Sequence, residues 1–308
     1  MMCRHPVDRR EDRATVRRRR NAHSATPHPT VEGNPSGDEM PGSGGGVEAS
    51  KTSSAALLAV SGVSVRFGGI VALDAVSFDV AAGEIAGLIG PNGAGKTTLF
   101  NCLSRLYDCN QGDIVFDGRS LLGVSRHAIA GLGIGRTFQN LALFGSMSVL
   151  DNVMVGTHCR TRSGFVANAL RLPRVVAEDR AATERARELV HLLGLDGVAK
   201  VPAAQLPFAT RKRVELARAL AADPKLLLLD EPASGLNHEE ANDLGRLIYE
   251  IRGRLRVTIL LVEHHMNLVM SVSDKVVALN FGRKIAEGTP DEVRAHPEVV
   301  EAYLGVAA

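Results

Sequence analysis

From residue 55 onward the apolar residues fall into short blocks with two different periods. Leu57 to Phe67 alternates loosely between apolar and polar positions, as does Ala75 to Val80, which is the period of a half-buried strand. Ile85-Ala86-Gly87-Leu88-Ile89 is instead a continuous apolar run that ends in a glycine-rich turn, and a helical pattern follows it. Leu226 to Leu229 is a second such run, ending in two acids, and Val257 to Val262 and Lys275 to Leu279 are further ones. Fully apolar strands separated by helices predict an α/β fold with a mostly parallel core sheet covered on both faces. The middle of the chain reads differently. Residues 148–222 are helical throughout, with a charged stretch from Glu178 to Glu188 that Gly194 and Gly197 follow. This predicts an α-helical subdomain, spanning about 140–222, inserted between core strands.

Residues 1–54 carry neither period. They are rich in Arg, Pro, Gly, Ser and His, and Gly44-Gly45-Gly46 lies in a polar, linker-like run, so the segment is expected to be a disordered basic tail in front of a domain at 55–308. Eight arginines against Asp8, Glu11 and Asp12 give residues 1–20 a charge of +5, which leaves −3 for the rest of a chain whose net charge is +2. A short basic run fits a lipid- or nucleic-acid-binding arm, but it fits a spectator segment better, with Met40 an alternative start. A net charge so near neutral makes no case for nucleic-acid binding by the protein as a whole. Apolar residues make up 45% and aromatics only 4%, so aliphatic packing dominates the core. The four cysteines, Cys3, Cys102, Cys109 and Cys159, have no zinc-type spacing and read as free thiols in a reducing compartment. No apolar run approaches the ~18 residues of a membrane helix, and no apolar stretch follows the N-terminal arginines as in a secretory signal. Any membrane role must come through a partner.

Two stretches carry chemistry. Gly90-Pro91-Asn92-Gly93-Ala94-Gly95-Lys96-Thr97 has the spacing Gly-x-x-x-x-Gly-Lys-Ser/Thr between an apolar strand and a helix, with Thr98 next in line. Glycines at Gly90, Gly93 and Gly95 let consecutive backbone N–H groups, including that of Asn92, turn toward phosphate oxygens. Lys96 is placed for the β- and γ-phosphates of ATP, and Thr97 for Mg2+. The start of the helix adds its positive end. Asp230 and Glu231 follow the Leu226–Leu229 strand directly, where strand ends face the ligand crevice. Asp230 is expected to hold Mg2+ through water, and Glu231 to polarise the attacking water.

With these parts in place, residues 55–308 resemble the ATP-binding-cassette ATPases, a P-loop NTPase fold with an antiparallel β part and an inserted helical subdomain. The order of motifs carries the resemblance: the phosphate loop at 90–98, Gln139 within Arg136-Thr137-Phe138-Gln139-Asn140, a signature-like stretch at 206–210, LLLLDEP at 226–232, SGLN at 234–237, and His264 after a buried strand. The resemblance implies that Phe67 stacks on adenine, that Gln139 touches Mg2+ and links the site to a membrane partner, and that His264 contacts the γ-phosphate. It implies also that Ser234 to Asn237 cross to a dimer mate. Within the family the chain most resembles the ATPases of branched-chain amino-acid importers, through residues 136–156, the insertion around Arg171 to Gly194, and the ending at 285–305, in a C-terminal extension of about 284–308. Relatives that serve urea uptake or lipopolysaccharide export, and non-transport ATPases of the same fold, are the alternatives. The implied partners are multi-helix permease subunits, a sister ATPase and, indirectly, a solute-binding protein, and nucleic acid is not among them. The implied place is the cytoplasmic face of the cell membrane, held peripherally through the permease.

Three positions depart from the family pattern. The signature, usually LSGGQ, reads Leu206-Pro207-Phe208-Ala209-Thr210, so the serine hydroxyl and both glycines are gone. Only backbone donors around Pro207 and Ala209 and the helix dipole remain to face phosphate. His265 stands where the branch usually has an acid, and Asn237 where the family usually has Asp. Each ATP in this family lies between one subunit's phosphate loop and its mate's signature. An eroded signature therefore predicts a heterodimer with a sister ATPase and unequal sites, or a module in which nucleotide only drives dimerisation.

Overall fold

The computed structural model describes residues 56–138, 141–160 and 173–304. Two sheets share one core. The antiparallel sheet holds β1 (Ala56–Phe67), β2 (Ile70–Ala81), β4 (Gln111–Phe116) and β5 (Arg119–Ser120) in the order β2-β1-β4-β5. The second sheet runs β10-β9-β3-β8-β7-β6, from β10 (Arg283–Gly288) and β9 (Lys275–Asn280) through β3 (Ile85–Ile89), β8 (Thr258–Val262) and β7 (Leu226–Asp230) to β6 (Ile134–Arg136). Five of its strands are parallel, and β10 is an antiparallel edge.

The period of two divides each parallel strand between two cores. Leu226, Leu228, Leu260 and Val262 point to the core shared with the antiparallel sheet and α1 (Lys96–Leu103), where Leu99, Phe100 and Leu103 are buried. Leu227, Leu229, Ile259 and Leu261 point the other way, to a core that includes Leu244, Ile248 and Ile251 of α5 (His238–Leu255) and Val269 of α6 (Met266–Val272). Burial on both faces is why these strands are continuous apolar runs in the sequence.

The inserted region holds α2 (Val149–Val155), α3 (Pro173–Leu192) and α4 (Phe208–Leu220), with 3₁₀ turns at His158–Arg160, Asp196–Val198 and Ala203–Gln205 among the described residues. Val149, Val153, Leu189, Val214 and Ala217 pack these helices together. Two short helices, α7 (Pro290–Ala295) and α8 (Pro297–Leu304), end the described chain. Among the described residues no helix is long and apolar enough to cross a membrane. Cys102, Cys109 and Cys159 are free thiols.

The apolar pattern anticipates the core strands but not β4, β5, β6 and β10. Ile114, Val115 and Phe116 follow a polar start in β4, β6 has three residues, and β10 is an edge with two exposed basic residues. Such strands take their hydrogen bonds from neighbours and show no period of their own.

Candidate functional site

The turn after β3 is built by glycines that nothing else replaces. Gly90 has φ 152°, and a Cβ on it would meet the Leu279 carbonyl oxygen at 2.3 Å. Gly95 has φ 101°, and its Cβ would meet the Ala72 oxygen and Leu73 Cδ2 at 2.7 Å. Gly93, with φ 83°, would have nothing within 4 Å of a Cβ, so the loop's open side lies there. The Gly282 N–H donates to the Ala94 oxygen at 3.1 Å, and the Asp74 N–H to the Gly282 oxygen at 2.8 Å, which seats the loop against both sheets.

Lys96 opens α1 and is buried, 7% exposed. Its ammonium donates to the Gly90 oxygen at 2.6 Å and the Pro91 oxygen at 3.0 Å, so it lies across the mouth of the loop. Burial lowers its pKa, and the charges of Glu231 and Asp230 oppose that shift. Thr97 is exposed, Thr98 half-buried, and Asn92 exposed at the tip.

Asp230 ends β7 and is 4% exposed. One of its oxygens accepts from Arg136 Nη2 at 2.8 Å, and its N–H donates to Thr137 Oγ1 at 3.3 Å. Glu231 adopts φ 46°, a left-handed conformation that costs a non-glycine residue about 1–3 kcal/mol. The turn is held by its N–H on the Val262 oxygen at 2.9 Å. His264 lies after β8, with Nδ1 3.9 Å from Glu231 Oε2. Lys96, Asp230, Glu231 and His264 thus come from three strand ends to one crevice.

Phe67 is 45% exposed at the end of β1 and meets Tyr107 edge-on, with centroids 5.1 Å apart. It is not a core residue. Gln139 lies outside the described residues, as does Asn140. The stem before it is fixed: the Thr137 N–H donates to the Leu228 oxygen at 3.0 Å, and the Phe138 N–H to Glu215 Oε1 at 3.2 Å.

The signature stretch forms the start of α4. Pro207 is the N-cap residue, not part of the first turn, and no side chain caps the helix. Ala209 and Thr210 are half-buried. The Phe208 ring has the Arg211 guanidinium 5.7 Å and the Lys212 ammonium 5.6 Å from its centroid. A Cβ on Gly235 would lie 3.0 Å from that ring, so the signature and the Ser234–Asn237 loop of one chain are in contact. Asn237 caps α5, accepting from the Glu240 N–H at 2.9 Å while Glu240 accepts from the Asn237 N–H at 3.0 Å. Asn caps as well as Asp does, so the substitution leaves this helix start intact.

Sequence reasoning passed over Arg136, Glu215 and Glu263. Glu263 is fully buried and accepts from the Ala233 N–H at 2.6 Å and the His264 N–H at 3.1 Å, stapling the segment after Glu231 to the one that carries His264. An acid in the last position of an apolar strand run was the available signal. Glu215 rises in pKa through burial, which the Phe138 N–H and the Lys212 and Arg218 charges counter.

The donor set suits a nucleotide with a hard cation: a buried cation at a glycine cradle, a hydroxyl at Thr97 and a carboxylate at Asp230. Known proteins point the same way. A family described as ABC transporter matches residues 73–234, and one described as branched-chain amino acid ATP-binding cassette transporter matches 283–308. The high-affinity branched-chain amino acid transport ATP-binding protein BraF of Pseudomonas aeruginosa is 42% identical over 82% of this chain and 98% of its own length. The high-affinity branched-chain amino acid transport ATP-binding protein LivG of Escherichia coli is 41% identical over the same shares. Among solved structures, the ADP conformation of an ATP-binding cassette of an ABC transporter superposes with a TM-score of 0.71 at 30% identity, covering 81% of this chain and 99% of that one.

Proposed function

The chain belongs to the ATP-binding-cassette transporter family, and from that membership we propose that it is the ATP-hydrolysing subunit of an importer for branched-chain amino acids or related amides. The observation that carries the reading is the convergence of Lys96, Asp230, Glu231 and His264 on the glycine cradle after β3. The match of residues 283–308 to the branched-chain amino acid group supports the solute class.

In this reading the backbone N–H groups from Gly90 to Gly95 hold the phosphates. Lys96 leaves the Gly90 and Pro91 carbonyls for the β- and γ-phosphate oxygens, an exchange of two neutral acceptors for anionic ones that strengthens its bonds. Thr97 and Asp230, with Gln139, would hold Mg2+, and the ion would supply positive charge against the phosphates. Glu231 accepts a hydrogen bond from the attacking water and orients it in line, and His264 steadies the γ-phosphate. Phe67 offers its exposed face to adenine. Pro207 and Ala209 present backbone to the nucleotide of the mate.

A groove of about 750 Å³ supports docking on a membrane partner. Leu106, Ile129, Phe138, Val155 and Ala222 line it, and it adjoins the stem that leads to Gln139. In this reading a permease segment with apolar side chains docks there, and the chain works at the cytoplasmic face of the membrane. The altered signature favours one competing reading, a module that binds nucleotide without turning it over. Phosphate release by the assembled complex decides between them. Glu231→Gln should keep ATP binding and stop turnover, whereas a non-catalytic module would show no turnover even with Glu231 in place.

A further inference from the structure

Arg136 is a nearly inaccessible cation at the site whose two terminal nitrogens are engaged while its Nε has no partner, and the nucleotide reading gives it no task. Its Nη2 donates to Asp230 Oδ2 at 2.8 Å. Its Nη1 donates to Asn101 Oδ1 at 2.9 Å, Ser104 Oγ at 3.0 Å and the Phe100 oxygen at 3.4 Å, three groups at or just beyond the end of α1. The Phe100 and Phe138 rings lie 5.7 Å and 5.2 Å from the guanidinium carbon. Both ends of the ion pair are nearly inaccessible, at 10% and 6% side-chain exposure.

We infer that Arg136 is a positioning residue for the metal-binding carboxylate: it fixes Asp230 through one arm and ties it through the other to the helix that begins with Lys96 and Thr97. The inference rests on the assignment of Asp230 to Mg2+ given above. Three elements meet in this one side chain. Strand β6 supplies Arg136 and leads on to Gln139, β7 supplies Asp230, and α1 supplies Lys96 and Thr97. The planar guanidinium engages two partners in fixed relative directions, which a lysine ammonium cannot do. Arg136 takes one Asp230 oxygen, Oδ2, so the pair does not use the whole carboxylate. A buried ion pair adds little net stability compared with apolar residues of similar size, so stability alone does not account for it. Groups that hold a metal ligand from behind typically contribute about 10- to 100-fold to metal affinity or activity.

The test is equilibrium binding of a fluorescent ATP analogue to the full chain, in EDTA and across a Mn2+ titration. Arg136→Met should keep metal-free affinity within about twofold and raise the Mn2+ concentration for half-maximal nucleotide binding by about 10- to 100-fold. Arg136→Lys, which keeps the charge but not the fork, should shift it in the same direction by less. It carries the test if the methionine variant does not fold. An unchanged Mn2+ midpoint, with or without a fall in melting temperature, would show a merely structural ion pair and overturn the inference. Loss of metal-free binding in a folded variant would overturn it too, because Arg136 would then support the phosphate loop and not Asp230. A wild-type chain that binds no nucleotide in either condition would instead remove the nucleotide reading itself.

Discussion

At the residue scale the site is a set of groups held in costly states. Lys96 is buried against carbonyls, and Glu231 sits at φ 46° beside His264. Both arrangements make sense where a phosphate chain and a water molecule are to be received. Lys96→Ala removes a charge-assisted bond of about 1.5–3 kcal/mol, so ATP affinity by calorimetry should fall about 10- to 150-fold. An affinity within about twofold of wild type would remove the phosphate cradle from the account. Gly90→Ala should be worse for the fold than for chemistry, since its Cβ would enter the Leu279 carbonyl at 2.3 Å. We expect a loss of at least about 2 kcal/mol in denaturant unfolding, the range of overpacked core sites. These residues were legible in the sequence because their chemistry requires fixed spacing. Arg136 and Glu263 were not, because the contacts that tie each to another element, to Asn101 and Asp230 and to Ala233, span 30 to 94 positions of the chain.

At the scale of elements, the parallel strands declare themselves because each is buried on both faces. Leu228→Ala should cost about 2–5 kcal/mol, since Leu228 is fully buried between α1 and the antiparallel sheet. The polar edges β4, β6 and β10 gave no period to read, and neither did the contact between Phe208 and Gly235. The signature helix α4 carries the main functional question among the elements. Its start has Pro207 as cap, with no side-chain capping bond and no serine at the second signature position, but its backbone N–H groups remain. If this chain pairs with a sister ATPase that has an intact signature, the two sites differ. Nucleotide on Lys96 faces the sister's signature, and nucleotide on the sister's loop faces Pro207 and Ala209. Glu231→Gln in the assembled complex should then remove most ATPase activity, while the matching change in the sister removes much less. Equal losses would mean that backbone donors alone make this signature competent.

At the scale of the whole molecule, a groove about 750 Å³ in volume lies at Arg136 and Phe138, beside the proposed ATP site on the strand ends. Val155 is 39% exposed, lines that groove and is not among the residues assigned to the proposed nucleotide site. Val155→Asp should therefore leave ATP affinity unchanged and reduce solute uptake and co-purification with the permease. Unchanged uptake would place the membrane partner elsewhere. The central claim is that this chain hydrolyses ATP to drive transport, and one measurement addresses it most directly. The complex is reconstituted in vesicles with its permease and binding protein, and phosphate release and solute uptake are followed together. Wild type should show both, and Glu231→Gln should show neither while still binding ATP. Phosphate release at the wild-type rate from Glu231→Gln, or uptake that persists without it, would contradict the account.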